Sequence, residues 1–158
     1  MFHRWAALVL VLALCAMSPK NAAGQSTQSP RGHGASGKLG HNYPNPFNPD
    51  TYLPFTVGEA NCAPGSEQHV VSLQLVNVLA QPVVVPVLFG APSSSMTSFP
   101  SALKGQPVHN MTLACGSYVA YWDGKIAKSG REAASGTYGV LLMVDGRLQD
   151  TFKIFYKK

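Results

Sequence analysis

Charge is scarce in this sequence, and negative charge scarcest: 12 Lys+Arg stand against 7 Asp+Glu in 158 residues, a net charge of +5. The carboxylates are Asp50, Glu59, Glu67, Asp123, Glu132, Asp145 and Asp150. Several fall at turns, where Asp is common for backbone reasons, so no pair is nominated for acid–base work. No Gly-x-Ser-x-Gly elbow occurs. His33, His41, His69 and His109 lie in loops or at strand starts, at spacings that suit neither a metal cage nor a proton relay. The basic residues are scattered from Arg31 onwards, with no run longer than Lys157-Lys158, which argues against a nucleic-acid stripe. No amphipathic helical period is present. The expectation is a non-enzyme without cofactor, metal, nucleic acid or small-molecule substrate.

Long hydrophobic runs are nearly absent too. Ala6–Met17 follows His3 and Arg4 and precedes Ala22-Ala23-Gly24, the pattern of a secretory signal over residues 1–24 with cleavage before Gln25. The run is too short to span a bilayer comfortably, and Leu14 does not suit lipidation at Cys15. The mature chain is therefore expected to lack a transmembrane segment and to be secreted or held at the cell surface, the periplasm included. Cysteine is the third scarcity. Cys62 and Cys115 remain after cleavage, and an even pair in an exported protein suggests one disulfide. It would contribute about 4 kcal/mol in the chain-entropy model. Two buried thiols or an intermolecular bridge are the alternatives.

What remains is one domain's worth of chain. Residues 25–41 are rich in Ser and Gly and read as a flexible leader. Gly32-His33-Gly34-Ala35-Ser36-Gly37-Lys38 imitates a phosphate loop, but Leu39 stands where magnesium needs a hydroxyl, and no strand or helix flanks it. From Asn42 to Pro49, Pro44, Pro46 and Pro49 exclude helix and keep the chain extended, with Tyr43 and Phe47 free to pack. A ligand site of Asn45, Asn48 and Asp50 is the alternative to that structural role.

Residues 42–158 read as strands. Thr51–Val57 alternates, with Pro54 pointing to an edge. Val70–Val78 is a strand, Leu79–Pro82 a turn, and Val83–Phe89 its returning partner, where Pro86 again marks an edge. Gly90–Gln106 is Ser/Pro-rich and unpatterned. Val108–Cys115 leads into Tyr118–Trp122, and Asp145-Gly146 joins Tyr138–Val144 to Leu148–Tyr156 as a hairpin. About seven strands result, an antiparallel immunoglobulin-like β-sandwich. Trp122, Tyr138, Leu53, Phe55, Leu73, Leu75, Val140 and Leu142 are the core candidates, with an exposed binding role the alternative for Trp122.

Trp122-Asp123-Gly124, Gly130-Arg131, Ser135-Gly136-Thr137-Tyr138 and Lys153, in that order, follow an opening Asn45-Pro46-Phe47-Asn48-Pro49. This set resembles the immunoglobulin-like domain shared by flagellar hook-capping proteins and the C-terminal sorting domains of type IX secretion cargo. Val71–Val83 is similar to that family's central hairpin, except that Ala80 stands where a glycine is usual. The resemblance implies either a sorting module read by outer-membrane secretion machinery or a scaffold or adhesion domain of an extracellular assembly, with protein partners in both cases. A sorting module would be recognised through the hairpin Tyr138–Lys158, with Lys153, Lys157 and Lys158 lending its edge positive charge. Sorting domains normally follow cargo, and here only residues 25–41 precede the domain. The signal pattern predicts that mass spectrometry of the purified mature protein finds an N-terminus at Gln25; an intact Met1 species from the cytoplasm of the native host would remove the exported reading.

Overall fold

Period-2 alternation is converted into strands wherever one face can be buried. The computed structural model describes residues 36–59, 63, 66–90 and 101–158; the expected signal, most of the expected leader, Cys62 and the stretch 91–100 lie outside the described residues. Nine strands are described: β1 Gly37–Leu39, β2 Thr51–Val57, β3 Gln68–Val76, β4 Pro82–Val84, β5 Val87–Gly90, β6 Met111–Ala114, β7 Gly116–Trp122, β8 Gly136–Val144 and β9 Arg147–Tyr156. One 3-10 turn, Ser101–Leu103, is the helical element among them. The protein is all-β, built of two antiparallel sheets. The first runs β1-β2-β7-β5 and the second β4-β3-β8-β9, with β6 paired to the early half of β3.

The inward residues of both sheets form one core. From the first come Leu53, Phe55, Tyr118, Ala120 and Trp122; from the second, Leu73, Leu75, Tyr138, Val140, Leu142 and Ile154. All eight core candidates read from the sequence are buried. Along β8 the pattern is strict: Tyr138, Val140, Leu142 and Val144 point inward while Gly139, Leu141 and Met143 are half-buried on the other face. The β8–β9 hairpin forms over the Asp-Gly pair, where Asp145 (φ 49°) and Gly146 (φ 74°) both adopt the left-handed conformation that a two-residue type I′ turn requires.

Prolines account for most differences from the sequence reading. Val83–Phe89 is not one strand. It breaks at Val85-Pro86, and its halves join different sheets: β4 pairs with β3, β5 with β7. Proline lacks the N–H that a continued ladder needs, so Pro86 marks a crossing between sheets and not simply an edge. Pro54 does not mark an edge strand either, because β2 lies between β1 and β7. It acts locally. The Gly40 N–H donates to the Pro54 carbonyl at 2.8 Å, but Pro54 cannot return the bond, and the β1 ladder stops at Leu39 opposite Phe55. Residues 37–39, read as leader, are therefore strand, and Leu39 is buried. Part of the unpatterned stretch is tied down as well: Leu88 and Gly105–Gln106 exchange backbone bonds of 2.7 and 2.8 Å.

The turn between β3 and β4 carries the departure at Ala80. The Asn77 side-chain oxygen accepts from the N–H groups of Leu79 and Gln81, both at 3.0 Å, and the Ala80 N–H donates to the Asn77 carbonyl at 2.9 Å. This network holds Ala80 at φ 58°, where a Cβ crowds the backbone and costs about 1–2 kcal/mol. Ala80→Gly should raise stability by about 0.5–1 kcal/mol, since glycine's extra unfolded-state freedom offsets only part of the relief. A denaturant midpoint that is unchanged or lower in the variant would contradict the strain.

Candidate functional site

The segments that carry the family resemblance are far apart in sequence, and packing brings three of them to one end of the two sheets. The Asn-Pro segment is closed on itself first. Buried Asn42 donates from its amide to Thr51 Oγ1 (2.9 Å) and to the Pro44 carbonyl (3.0 Å), and the Thr51 hydroxyl donates to that same carbonyl at 3.1 Å. This loop contains three cis peptide bonds, before Pro44, Pro46 and Pro49. It projects Phe47 inward until the side chain is 2% exposed. The Phe47 ring stacks on Tyr156 (centroids 4.9 Å) and tilts against Trp122 (5.3 Å), while Trp122 meets Tyr138 edge-on at 5.3 Å.

Backbone bonds fix the same arrangement. Phe47 donates to the Phe155 carbonyl and accepts from the Lys157 N–H, each at 3.0 Å, so it pairs with β9 as a short parallel bridge. The Asn45 side-chain oxygen accepts from the Phe155 N–H at 3.3 Å. Pro46 and Asn48 are exposed. The Pro49 carbonyl lies against Gly124, whose φ is 74° and where a Cβ would run into that oxygen. The glycine of Trp-Asp-Gly is thus required twice, by its conformation and by a close approach.

The corner between β7 and β8 is assembled from side-chain oxygens. Asp123 accepts from the Lys125 N–H at 3.0 Å and pairs with the Lys125 ammonium at 3.5 Å. The Trp122 indole N–H donates to the Lys125 carbonyl at 2.9 Å. Gly130 (φ 63°) closes a turn by donating to the Ile126 carbonyl at 2.9 Å. Ser135 accepts from the Lys158 N–H at 3.0 Å, and the Tyr138 hydroxyl donates to the Ala134 carbonyl at 2.7 Å. Gly136 opens β8.

The three candidate lysines are not equivalent. Lys158 pairs with Glu132 at 2.9 Å, which lowers the pKa of the carboxylate and raises that of the ammonium. Lys157 is tied through its backbone to Phe47. Lys153, opposite Gly139 in the β8–β9 register, is exposed.

Carboxylates elsewhere hold backbone in place. Asp150 accepts from the Leu39 N–H at 2.9 Å, joining β9 to β1 across the sheets. Asp145 accepts from the Val70 N–H (2.8 Å) and faces His69 Nδ1 (2.9 Å), whose other nitrogen lies 3.7 Å from Glu67. The sequence reading missed this tie, which joins residues 76 positions apart. Its one signal was Asp at the first position of the turn. Cys115 is buried and disulfide-bonded; Cys62, its expected partner, lies outside the described residues. Among the described residues no group of three or more His, Cys, Asp or Glu is placed to hold a metal, and no helix is long and apolar enough to cross a membrane.

The His69 contact and then the Val70 N–H hold the Asp145 carboxyl below its ordinary pKa. A folded-state pKa below the unfolded one contributes stability that is present above the unfolded value, about 4, and lost as pH falls through the folded one. Asp145→Asn should therefore lose stability near neutral pH and show a shallower decline than the parent below about pH 4. Equal acid slopes for the two proteins in parallel titrations would overturn the assignment.

No family model and no curated protein matches the chain. Among solved structures it is similar to a Pseudomonas fluorescens alkylpurine DNA glycosylase, AlkC, bound to DNA containing an abasic site analog, at 16% identity and a TM-score of 0.40. The match covers 79% of this chain and 31% of that one, so the chain spans about a third of its length. A likeness of that size carries no argument about fold or activity.

Proposed function

We propose that the chain is an exported, non-catalytic immunoglobulin-type β-sandwich that acts as a recognition module of the type IX sorting kind, read by a protein partner at the end where Phe47, Trp122 and Tyr156 meet. The observation that carries this reading is that convergence. The Asn-Pro segment, the Trp-Asp-Gly corner and the closing strand support one another there, as parts of a single module would. The immunoglobulin type is supported by strand order. Lettered along the chain, β1-β2-β7-β5 follows A-B-E-D and β4-β3-β8-β9 follows C′-C-F-G, with β6 as an addition. The Tyr138 hydroxyl bond to Ala134, at the start of the penultimate strand, has the form of a tyrosine corner. The polar groups of the corner are engaged in holding backbone, in keeping with a structural role and no reaction.

A scaffold or adhesion domain is the second reading, and one observation favours it. The outer edge of β9 is closed at Phe155 by Asn45 and Phe47, which shortens the stretch a partner strand could join. The two readings separate in a host with type IX machinery. Residues 36–158 would be fused behind a signal peptide and a fluorescent reporter. Deleting Lys153–Lys158 would also remove the core residues Ile154 and Tyr156, so Lys153→Glu is the cleaner variant. A sorting module should deliver the reporter to the surface and lose most delivery with Lys153→Glu. Parent and variant both retained in the periplasm would leave the scaffold reading standing.

A further inference from the structure

The core absorbs one set of aromatics, and a second set lies on the outer face of the first sheet. Tyr52 of β2 stands beside Tyr121 of β7, its partner in register, with ring centroids 5.4 Å apart and planes at 50°. Tyr43 stacks on Tyr52 at 5.3 Å and 20°, and Phe89 meets Tyr52 edge-on at 4.9 Å and 72°. Tyr43 is 51% exposed and Phe89 43%. Neither the core nor the convergent end uses these rings.

We propose that this face binds a basic side chain, lysine or arginine, presented by a protein partner, with the cation seated among Tyr43, Tyr52 and Tyr121 beside Asp50. Three observations select that occupant. Tyr43 stacks on Tyr52 at 20°, but Tyr121 and Phe89 stand at 50° and 72° to the Tyr52 ring, so the rings around it make walls and not a flat platform. Walls suit a compact cation; a pyranose ring stacks on a plane. The cluster already holds a cation of its own, since the Lys104 ammonium lies 5.2 Å over the Phe89 ring, a separation at which the ring quadrupole attracts charge. Two carboxylates lie near Tyr121 despite the net positive chain. Burial, then the carboxylate of Asp50, then that of Asp123 push the Tyr121 hydroxyl above its ordinary pKa. Asp123 is paired with Lys125, whereas Asp50 accepts a hydrogen bond from the Tyr121 hydroxyl, which keeps its negative charge beside the rings.

The test uses the full mature protein and amide chemical shifts in NMR, with three probes: an arginine-rich peptide, a glutamate-rich peptide of equal length, and cellohexaose. The arginine peptide should give saturable shifts centred on Tyr43, Tyr52 and Tyr121 that fade at high salt, and the other two should give none there. Tyr43→Ala and Asp50→Asn should each weaken its binding about fivefold, the loss of one exposed cation–ring or charge contact. Asp50→Asn leaves the rings in place, so it reads out charge even if Tyr43→Ala perturbs the segment, and unchanged melting of either variant excludes unfolding. Shifts with cellohexaose in place of the arginine peptide would make this a sugar face. Shifts with both peptides, shifts with neither, or undiminished affinity in Asp50→Asn would equally overturn the proposal.

Discussion

Phe47 makes the contact on which the rest of the structure depends. The two sheets share one core, and at one end of it Phe47 packs between them. Its ring touches Tyr156 of one sheet and Trp122 of the other, and Trp122 in turn touches Tyr138. An isolated aromatic in a proline-rich loop would not hold such a position by burial alone. The loop is drawn closed by Asn42 and Thr51, and the backbone on either side of the Phe47 ring bonds β9. Each bond is worth about 1 kcal/mol net, and together they remove the freedom that would let the ring withdraw. Three of the family-like segments are thus adjacent in space because each supplies a ring to the same aromatic cluster.

Strand interiors were legible in the sequence, and connections between sheets were not. β2, β7 and β8 follow from alternation alone, because a residue facing the core must be apolar whatever it pairs with. The Asp-Gly turn follows from local conformation, because few residues accept two consecutive positive φ values. Which strand joins which sheet is a different question. Val83–Phe89 has continuous strand character, and only the missing N–H of Pro86 and the tilt of β5 toward β7 divide it. β1 was hidden for the opposite reason: three residues in a Gly/Ser-rich leader carry no pattern. Gly37 fits there because its missing side chain leaves room for Val144 and Leu142, a constraint set by residues more than a hundred positions away. The aromatics outside the core were hidden by the same limit, since Tyr43, Tyr52, Phe89 and Tyr121 become neighbours only once three chain segments are aligned.

The scarcity of charge takes on a physical meaning once the bonds are in view. Asp145, Asp123 and Asp150 each accept a backbone N–H next to a turn or across the sheets, which is what a short carboxylate does best at the ends of strands. Glu132 and Lys158 pair at the surface, where such contacts contribute little. A chain with seven carboxylates that commits three of them to backbone and one to a surface pair has few left to form a field, so Asp50 beside an exposed aromatic face stands out more than it would on a densely charged protein.

The closure of β9 bears on how any partner could read the terminal hairpin. Strand addition needs a row of free N–H and C=O groups on one edge. On β9 the groups of Phe155 face that edge and are taken by Asn45 and Phe47, and Asp150 is turned toward Leu39. The intervening stretch, Thr151–Ile154, is shorter than a typical strand, and the exposed Lys153 lies within it. A lysine on a short open edge discourages pairing with a second copy through like charge, yet leaves an acidic partner strand free to approach. Recognition at this end would then depend less on main-chain ladders than on the shape made by the Asn-Pro loop and the Trp-Asp-Gly corner. That shape exists only in the folded domain, so a partner reading it would bind the folded module and pass over an unfolded tail of the same sequence.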